Sequence, residues 1–190
     1  MSIVRNRIQE SIDTKKRILE SVNVINSIER VAAEIILCLK SGGKLIIGGN
    51  GGSESDSLHF AGEIVGRFQR ERNPWPAIVL GSDPATLTAI ANDYGYDETY
   101  ARQAKAYSKQ GDILFIISTS GNSKNLVNAI KAVSESGCKT IALLGHDGGV
   151  MKDMVDYTII VPSDVTARIQ ESHITIIHIL CEIIEDSMNE

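Results

Sequence analysis

Five short runs of apolar residues, rich in Ile, Leu and Val, recur along the chain, and the stretches between them have helical spacing. The runs are Lys44–Gly48, Ala77–Leu80, Asp112–Ser118, Lys139–Leu144 and Tyr157–Val161. They do not alternate with polar residues, so each indicates a strand that is buried on both faces. The intervening helical stretches lie near 54–68, 84–108, 123–136 and 148–154. This alternation predicts an α/β fold with a doubly wound, five-stranded parallel sheet flanked by helices.

Helices are also predicted before the first strand and after the last one. Residues 2–41 have two apolar stripes at helical spacing, and Ser41-Gly42-Gly43 then ends the segment. A final helix is predicted from about Thr166 to Met188. The length of 190 residues fits one domain. We therefore expect an α/β core over 42–190, with helices in 1–41 that pack on it or on another subunit.

Composition restricts the partners and the compartment. The formal net charge is -5, which argues against a nucleic-acid-binding surface. No run approaches the ~20 apolar residues of a membrane span, and the first residues have no apolar segment of secretory length. Three widely spaced cysteines form no CxxC pair, which disfavours a structural zinc site and a redox motif. The expected location is the cytoplasm.

The first candidate site is the glycine loop Gly48-Gly49-Asn50-Gly51-Gly52-Ser53, between the first strand and the next helix. Ligands of a doubly wound sheet bind beyond the carboxyl ends of the strands, where this loop, 81–84 and 119–123 are expected to lie. Glycine allows close approach of the backbone, and free N–H groups at a helix start attract an anion. A tight turn with Ser53 as a helix cap would give the same pattern.

The second candidate site is Ser118-Thr119-Ser120-Gly121-Asn122-Ser123, which also joins a strand to a helix. Its four hydroxyl groups converge on a helix N-terminus, where hydroxyl and N–H donors can hold a phosphate without a lysine. A hydroxyl-rich capping box without a ligand is the alternative. One hydroxyl is enough for a cap, so the pattern favours a phosphate site.

Two helices carry residues suited to acid–base chemistry. His59 and Glu63 share one face of the helix after the glycine loop, where the carboxylate could abstract a proton or bind a metal. A solvated ion pair is the plainer interpretation. Gln170 and His178 share a broad face of the final helix, and a core histidine bonded to a backbone carbonyl is the alternative for His178. His173 points away from that face and is expected to be structural.

Taken together, these segments resemble the sugar isomerase (SIS) domain family and, within it, the phosphoheptose isomerases. The matching motifs are Gly49–Ser53, His59-Phe60-Ala61 with Glu63, Gly66-Arg67-Phe68, Ala89–Gly95, Ser118–Ser123, and Ala167–Glu171 with His178. They span about residues 30–185 and keep the order of the family. The combination is highly specific, although each motif alone is not.

The resemblance implies conversion of sedoheptulose 7-phosphate to D-glycero-D-manno-heptose 7-phosphate, the first step toward nucleotide-activated heptose. It implies a homotetramer with active sites between subunits, and Glu63 and His178 as the acid–base pair. The implied sugar contacts are Asn50, Gly51, Gly52, Ser53, Glu63, Asn92, Asp93 and Gln170. The implied phosphate contacts are Ser118, Thr119, Ser120 and Ser123. In some members of the family, zinc is bound by the residues that match His59, Glu63, Gln170 and His178.

Two adjacent positions depart from the family pattern. Glu54 and Ser55 follow Ser53 where the family usually has small residues. A carboxylate in the first helical turn suits the helix dipole but would repel a nearby phosphate. This departure favours the Ser/Thr loop, rather than the glycine loop, as the phosphate site.

The implied chemistry moves a proton between adjacent carbons through an enediol, which requires an acid and a base and no organic cofactor. A zinc ion could polarise the carbonyl and diol oxygens. An alternative from another class is a non-enzymatic relative in the family, a replication initiator-associating protein that shares both ligand loops. A third is a sugar-phosphate-sensing domain, although this chain carries no DNA-binding module.

Overall fold

A five-stranded parallel sheet forms the middle layer of the molecule in the computed structural model, which describes residues 2–188. The strands are β1 Leu45–Gly49, β2 Ala77–Val79, β3 Ile113–Ser118, β4 Lys139–Leu144 and β5 Tyr157–Ile160. Their order across the sheet is β2-β1-β3-β4-β5, with every neighbouring pair parallel. The predicted sheet is confirmed, and each predicted strand lies within one residue of the observed one at both ends.

Seven α-helices surround the sheet in the described part of the chain. They are α1 Ile3–Glu20, α2 Val22–Lys40, α3 Gly52–Val65, α4 Pro84–Tyr94, α5 Thr99–Tyr107, α6 Lys124–Ala132 and α7 Thr166–Met188. Short 3-10 turns lie at Tyr96–Glu98 and Met151–Asp153. None of the helices in 2–188 combines the length and apolarity that a membrane crossing requires.

Two predicted helices were wrong in extent. The stretch 84–108 is broken because α4 ends at Gly95, whose φ of +90° does not continue a helix. The chain then makes a 3-10 turn before α5 begins at Thr99. The stretch 148–154 contains only one 3-10 turn, because the N–H of Met151 donates to the carbonyl of Gly121 in another loop. The backbone near Gly148 is therefore hydrogen-bonded to a neighbouring loop and does not form an α-helix.

Apolar side chains cover both faces of the sheet. On one face, α2, α3 and α7 pack against side chains such as Ile47 and Phe115, and Phe60 of α3 meets Phe115 edge-on at 5.2 Å between ring centroids. On the other face, α5 and α6 pack against side chains such as Ile46 and Ile116. Burial on both faces explains why the strands lack polar alternation.

The two N-terminal helices have different surroundings. α2 buries Val31, Ala32 and Ile35 against the sheet and α7, so it is an integral layer of the core. α1 contacts α2 and α7 but leaves large apolar side chains in solvent, with Ile8 57% and Ile12 43% exposed. The helices predicted in residues 2–41 are confirmed, and only α1 keeps an uncovered apolar stripe.

The strand order places the two ligand loops side by side. β1 and β3 are neighbours at the centre of the sheet, with Gly49 in register with Ile117. The chain leaves β1 toward one edge and β3 toward the other, which is the topological switch point of a doubly wound sheet. The glycine loop after β1 and the Ser/Thr loop after β3 therefore border one crevice.

Candidate active site

The glycine loop turns sharply from β1 into α3. Gly51 is the N-cap of α3 and has a φ of +58°, which favours glycine. Gly52 follows as the first helical residue, and a Cβ atom there would lie 2.5 Å from Nε2 of Gln170. The absence of a side chain at Gly52 therefore lets Gln170 of α7 lie directly on the loop. Ser53 comes next and is buried, at 4% exposure.

The side chain of Asn50 joins the two ligand loops. Its Nδ2 donates to Oδ1 of Asn125 at 3.0 Å, and Nδ2 of Asn125 donates back to its Oδ1 at 2.9 Å. The hydroxyl of Tyr96 donates to the same Oδ1 at 2.9 Å. Asn125 lies in the first turn of α6 and is 2% exposed. The amide of Asn50, expected to line the sugar site, therefore holds the two loops together.

The Ser/Thr loop forms a small polar cavity of about 70 Å³ with the glycine loop. Its lining residues are Asn50, Ser53, Ile117, Ser118, Thr119, Ser120, Ser123 and Leu126. The hydroxyl of Ser118 accepts the N–H of Gly121 at 3.1 Å, which shapes the loop. Ser123 is the N-cap of α6 but makes no side-chain capping bond within residues 2–188. Its hydroxyl therefore remains available to an anion at the start of the helix.

A second loop supports the Ser/Thr loop from behind. The side-chain oxygen of Asn122 accepts the N–H of Val150 at 3.1 Å. The carbonyl of Gly121 accepts the N–H of Met151 at 3.1 Å. The backbone at Val150 and Met151 therefore helps to hold the Ser/Thr loop in place.

Three acid–base side chains from α3 and α7 converge. Nε2 of His59 lies 3.0 Å from Oε1 of Glu63 and 3.4 Å from Nε2 of His178. The rings of His59 and His178 meet edge-on, with centroids 5.1 Å apart. The side chains of His59 and Glu63 are 45% and 23% exposed, so this cluster opens to solvent in the single subunit. A carboxylate and two imidazoles can together take and give protons.

A buried carboxylate fixes the loop that lies behind His178. Glu185 of α7 accepts the N–H groups of Phe68 at 2.8 Å, Gln69 at 2.8 Å and Arg70 at 3.1 Å, and Nε of Arg72 at 3.0 Å. Burial alone raises the pKa of Glu185, but these donors outweigh it and lower the pKa. The loop they fix stacks Phe68 on His178 at 5.6 Å between ring centroids.

Comparison with known proteins identifies the family. The SIS domain model matches residues 10–145. A phosphoheptose isomerase from Sulfurimonas denitrificans is 47% identical over 182 residues, covering 96% of this chain and 93% of that protein. This chain belongs to the phosphoheptose isomerase family. A second relative of that name, from Geobacter metallireducens, is 44% identical over 97% of this chain and 99% of its own. The solved phosphoheptose isomerase of Francisella tularensis superposes with a TM-score of 0.92 at 37% identity, over 96% of both chains.

The expected sugar contacts on α4 and the histidine expected to be structural lie outside the two ligand loops. Asn92 and Asp93, at the end of α4, are exposed and hydrogen-bonded to each other at 2.9 Å. Within residues 2–188, neither side chain is hydrogen-bonded to the glycine loop or to the Ser/Thr loop. His173 is fully buried, and its Nε2 lies 3.1 Å from the carbonyl oxygen of Leu144. Burial lowers the pKa of His173 to about 4, so it is neutral and structural, as the sequence predicts.

Sequence reasoning missed the residues that position this phosphoheptose isomerase site. Asn125, Tyr96, Tyr100 and Glu185 contact the loops across at least 46 positions of sequence. Two of them follow a motif closely, Asn125 after Ser118–Ser123 and Tyr96 after Ala89–Gly95. No local pattern marks such long-range partners, because each is an ordinary polar residue on a helix or at its end.

Proposed function

We propose that this chain isomerises sedoheptulose 7-phosphate to D-glycero-D-manno-heptose 7-phosphate. The observation that carries the proposal is the convergence of Glu63, His59 and His178 near a hydroxyl-lined cavity at the switch point, in a chain of the phosphoheptose isomerase family. The comparisons give no support to a replication initiator-associating protein. The product would enter the synthesis of nucleotide-activated heptose.

The distance between the two parts of the site suits a sugar phosphate. Ser53 borders the hydroxyl-lined cavity, and His59 lies six residues further along α3. Six residues of α-helix rise about 9 Å, which is comparable with an extended seven-carbon chain. The phosphate would accept hydrogen bonds from Ser118, Thr119, Ser120 and Ser123, and the carbonyl end would reach the acid–base cluster.

The reaction requires one proton to leave carbon 1 of the ketose while another reaches the carbonyl oxygen on carbon 2. An enediol results, and a proton delivered to carbon 2, with loss of the proton on the carbon 1 oxygen, gives the aldose. Glu63 and His178 supply the two exchanging groups, one from each helix. Atoms and charge balance without an oxidant, so the chain needs no organic cofactor.

A direct assay tests this function. Purified protein is incubated with sedoheptulose 7-phosphate in deuterium oxide, and the aldose is followed by NMR. We expect the aldose to form, with solvent deuterium at carbon 2 to the extent that the base exchanges its proton. Fructose 6-phosphate serves as a shorter control ketose. If no phosphorylated ketose reacts and a replication initiator binds tightly, the enzyme assignment fails.

The donor set of His59, Glu63, Gln170 and His178 fits zinc in its chemistry. The two Nε2 atoms are 3.4 Å apart, and nitrogens on one tetrahedral zinc at about 2.0–2.1 Å lie roughly 3.3–3.4 Å apart. Within residues 2–188, no three His, Cys, Asp or Glu side chains are arranged as they stand to hold a metal. Glu63 and Gln170 would therefore have to turn toward the imidazoles. Zinc bound there would polarise the oxygens of the substrate, and whichever of Glu63 and His178 bound it would give up its role as a free acid or base.

Removal of metal is expected to lower turnover at least tenfold, because those oxygens would lose their polarising group. Elemental analysis before and after chelation, with activity measured at each stage and after zinc is restored, checks this. A His59→Asn variant should bind less zinc, whereas His146→Asn, at a histidine paired with Asp164, should bind the wild-type amount. Metal-free protein with full activity would remove zinc from the proposal.

We extend the proposal to a homotetramer with active sites between subunits, located in the cytoplasm. The acid–base cluster is open in one subunit, and reaction sites are normally shielded from water. An apolar groove of about 190 Å³ between α1, α2 and α7 also lies at the surface. The three free cysteines are all buried, which suits a reducing compartment.

Light scattering is expected to give about four times the subunit mass of 20.6 kDa. The double change Ile8→Glu and Ile12→Glu on α1 should dissociate the assembly, because charges would replace the apolar stripe. Asn6→Glu, at an exposed position on another side of α1, is the matched control. A wild-type monomer at micromolar concentration would contradict the tetramer.

A further inference from the structure

The side-chain amide of Asn125 has one possible orientation. Its Oδ1 accepts the backbone N–H of Leu126 at 3.0 Å. A backbone N–H can only donate, so the atom of Asn125 that meets it must be the amide oxygen and not the amide nitrogen. Asn125 is 2% exposed, so no solvent is at hand to satisfy a reversed amide. The oxygen and the nitrogen of this side chain therefore cannot exchange places.

The orientation of Asn125 in turn determines that of Asn50. Nδ2 of Asn125 donates at 2.9 Å, and the atom that it meets is Oδ1 of Asn50. Oδ1 of Asn125 accepts at 3.0 Å from Nδ2 of Asn50. Reversal of Asn50 alone would set oxygen against oxygen and nitrogen against nitrogen, and both contacts would be lost. One backbone N–H on α6 thus fixes, through two side chains, an amide in the glycine loop.

A third residue completes the surroundings of Asn50. The hydroxyl of Tyr96 donates to Oδ1 of Asn50 at 2.9 Å. Tyr96 lies in the 3-10 turn after α4, and α6 also holds this turn. Nδ2 of Asn128 on α6 donates to the carbonyl of Asp97 at 3.1 Å and to Oε1 of Glu98 at 3.0 Å. α6 therefore fixes both of the side chains that donate to Asn50.

Asn50 keeps one hydrogen-bonding group for a ligand. A primary amide has two N–H protons and an oxygen that can accept two bonds. The oxygen accepts from Asn125 and from Tyr96, and one proton goes to Asn125. Within residues 2–188, the second Nδ2 proton of Asn50 has no protein acceptor. Asn50 lines the hydroxyl-lined cavity, so this proton can be given to a ligand oxygen there.

We propose that Asn125 is a positioning residue, which sets the amide of Asn50 so that it offers the substrate a hydrogen-bond donor and no acceptor. In the reversed orientation, the oxygen of Asn50 would meet the oxygens of a sugar phosphate and repel them. Asn125 is buried behind Asn50 and acts on the substrate only through it. The effect on substrate rests on the proposed function, whereas the orientation of the two amides does not.

Neutron diffraction from crystals exchanged into deuterium oxide tests the orientation without any enzymatic activity. We expect Nδ2 of Asn125 to carry the deuteron that faces Oδ1 of Asn50. We also expect one deuteron of the Asn50 amide to face Oδ1 of Asn125 and the other to point into the cavity. An Asn50 oxygen in place of that second deuteron would overturn the proposal. The expected arrangement in a protein that isomerises no heptose phosphate would refute the function alone.

A double-mutant cycle tests the positioning role. We expect Asn50→Ala and Asn125→Ala each to raise the KM for sedoheptulose 7-phosphate roughly tenfold, the scale of one hydrogen bond to a charged or strongly polar group, with a smaller change in kcat. The double variant should have about the KM of Asn50→Ala, because Asn125 acts only through Asn50. Single effects that multiply to roughly a hundredfold would show that Asn125 acts by another route and would overturn the proposal.

Asn125→Asp isolates the bond that Asn125 donates. A carboxylate keeps the shape of the side chain and can still accept from Leu126 and Asn50, but it has no proton for Oδ1 of Asn50. We expect a rise in KM of roughly tenfold or more above neutral pH. Asn6→Asp, at an exposed amide on α1, adds the same charge and should match wild type. A wild-type KM in Asn125→Asp would contradict the proposal. If the alanine variants do not fold, this near-isosteric variant and the neutron structure decide.

Discussion

Glu63→Gln is expected to leave the fold intact and to reduce kcat by two or more orders of magnitude. The amide is nearly isosteric, so it can keep the contact with Nε2 of His59, which is 3.0 Å from Glu63 in the native site. It cannot accept a proton from carbon, and loss of a general base usually costs 10²- to 10⁴-fold, on the order of 3–5 kcal/mol. Steady-state assays with sedoheptulose 7-phosphate measure the effect.

Two accompanying measurements make the result specific to proton transfer. Zinc content is measured on the same preparation, because a loss of metal would lower turnover for another reason. Glu135→Gln, far from the site on the αβ loop after α6, controls for the loss of one carboxylate. A folded, metal-replete Glu63→Gln enzyme with most of its activity would refute the assignment of Glu63 as an acid–base group.

His178→Asn has the second large expected effect, and it separates an enzyme from a binding protein. A binding module with the same two ligand loops has no need for an ionisable group beside Glu63. An isomerase needs one, because protons must be both taken and given during the cycle. We expect the variant to remain tetrameric and to bind the substrate, while turnover falls by roughly two or more orders of magnitude.

Calorimetric titration of substrate, together with light scattering, checks the binding and assembly of His178→Asn. The Tm is expected to fall slightly, since the ring of His178 stacks on Phe68. His146→Asn is the matched control, because His146 has a φ of +50°, which Asn adopts readily. Unchanged turnover in His178→Asn would show that His178 is an ordinary, partly buried histidine.

Sequence reasoning predicted the fold well because the signals it uses are local. Five buried strands were visible as unbroken apolar runs, and α7 was predicted with both of its ends, from Thr166 to Met188. The break between α4 and α5 was missed, although Gly95 was visible, because a single glycine does not always end a helical pattern. The stretch near Met151 failed because tertiary hydrogen bonds determine its path.

The site was predictable in its motifs but not in its internal contacts. The spacing of His59 and Glu63 placed them on one face, and their meeting with His178 depends on the packing of α3 against α7. The contact of Asn50 with Asn125 could not be predicted, since the two residues are 75 positions apart in the sequence. Glu54 appeared in the sequence as a charge near the phosphate, whereas in the structure its carboxyl group accepts the N–H of Gly49 at 3.3 Å.

The contacts of Glu185 also determine when the active site can form during synthesis. The bond between Glu185 and the Phe68 N–H spans 117 positions, and the one to Arg72 spans 113. A growing chain can order α3 and the first strands early, but the N–H groups of Phe68, Gln69 and Arg70 lack the carboxylate of Glu185 until α7 has emerged and docked. Contacts this distant in sequence are late and slow to form. A nascent chain that ends before Glu185 could therefore form most of the sheet, but it would lack the carboxylate that fixes the loop behind His178.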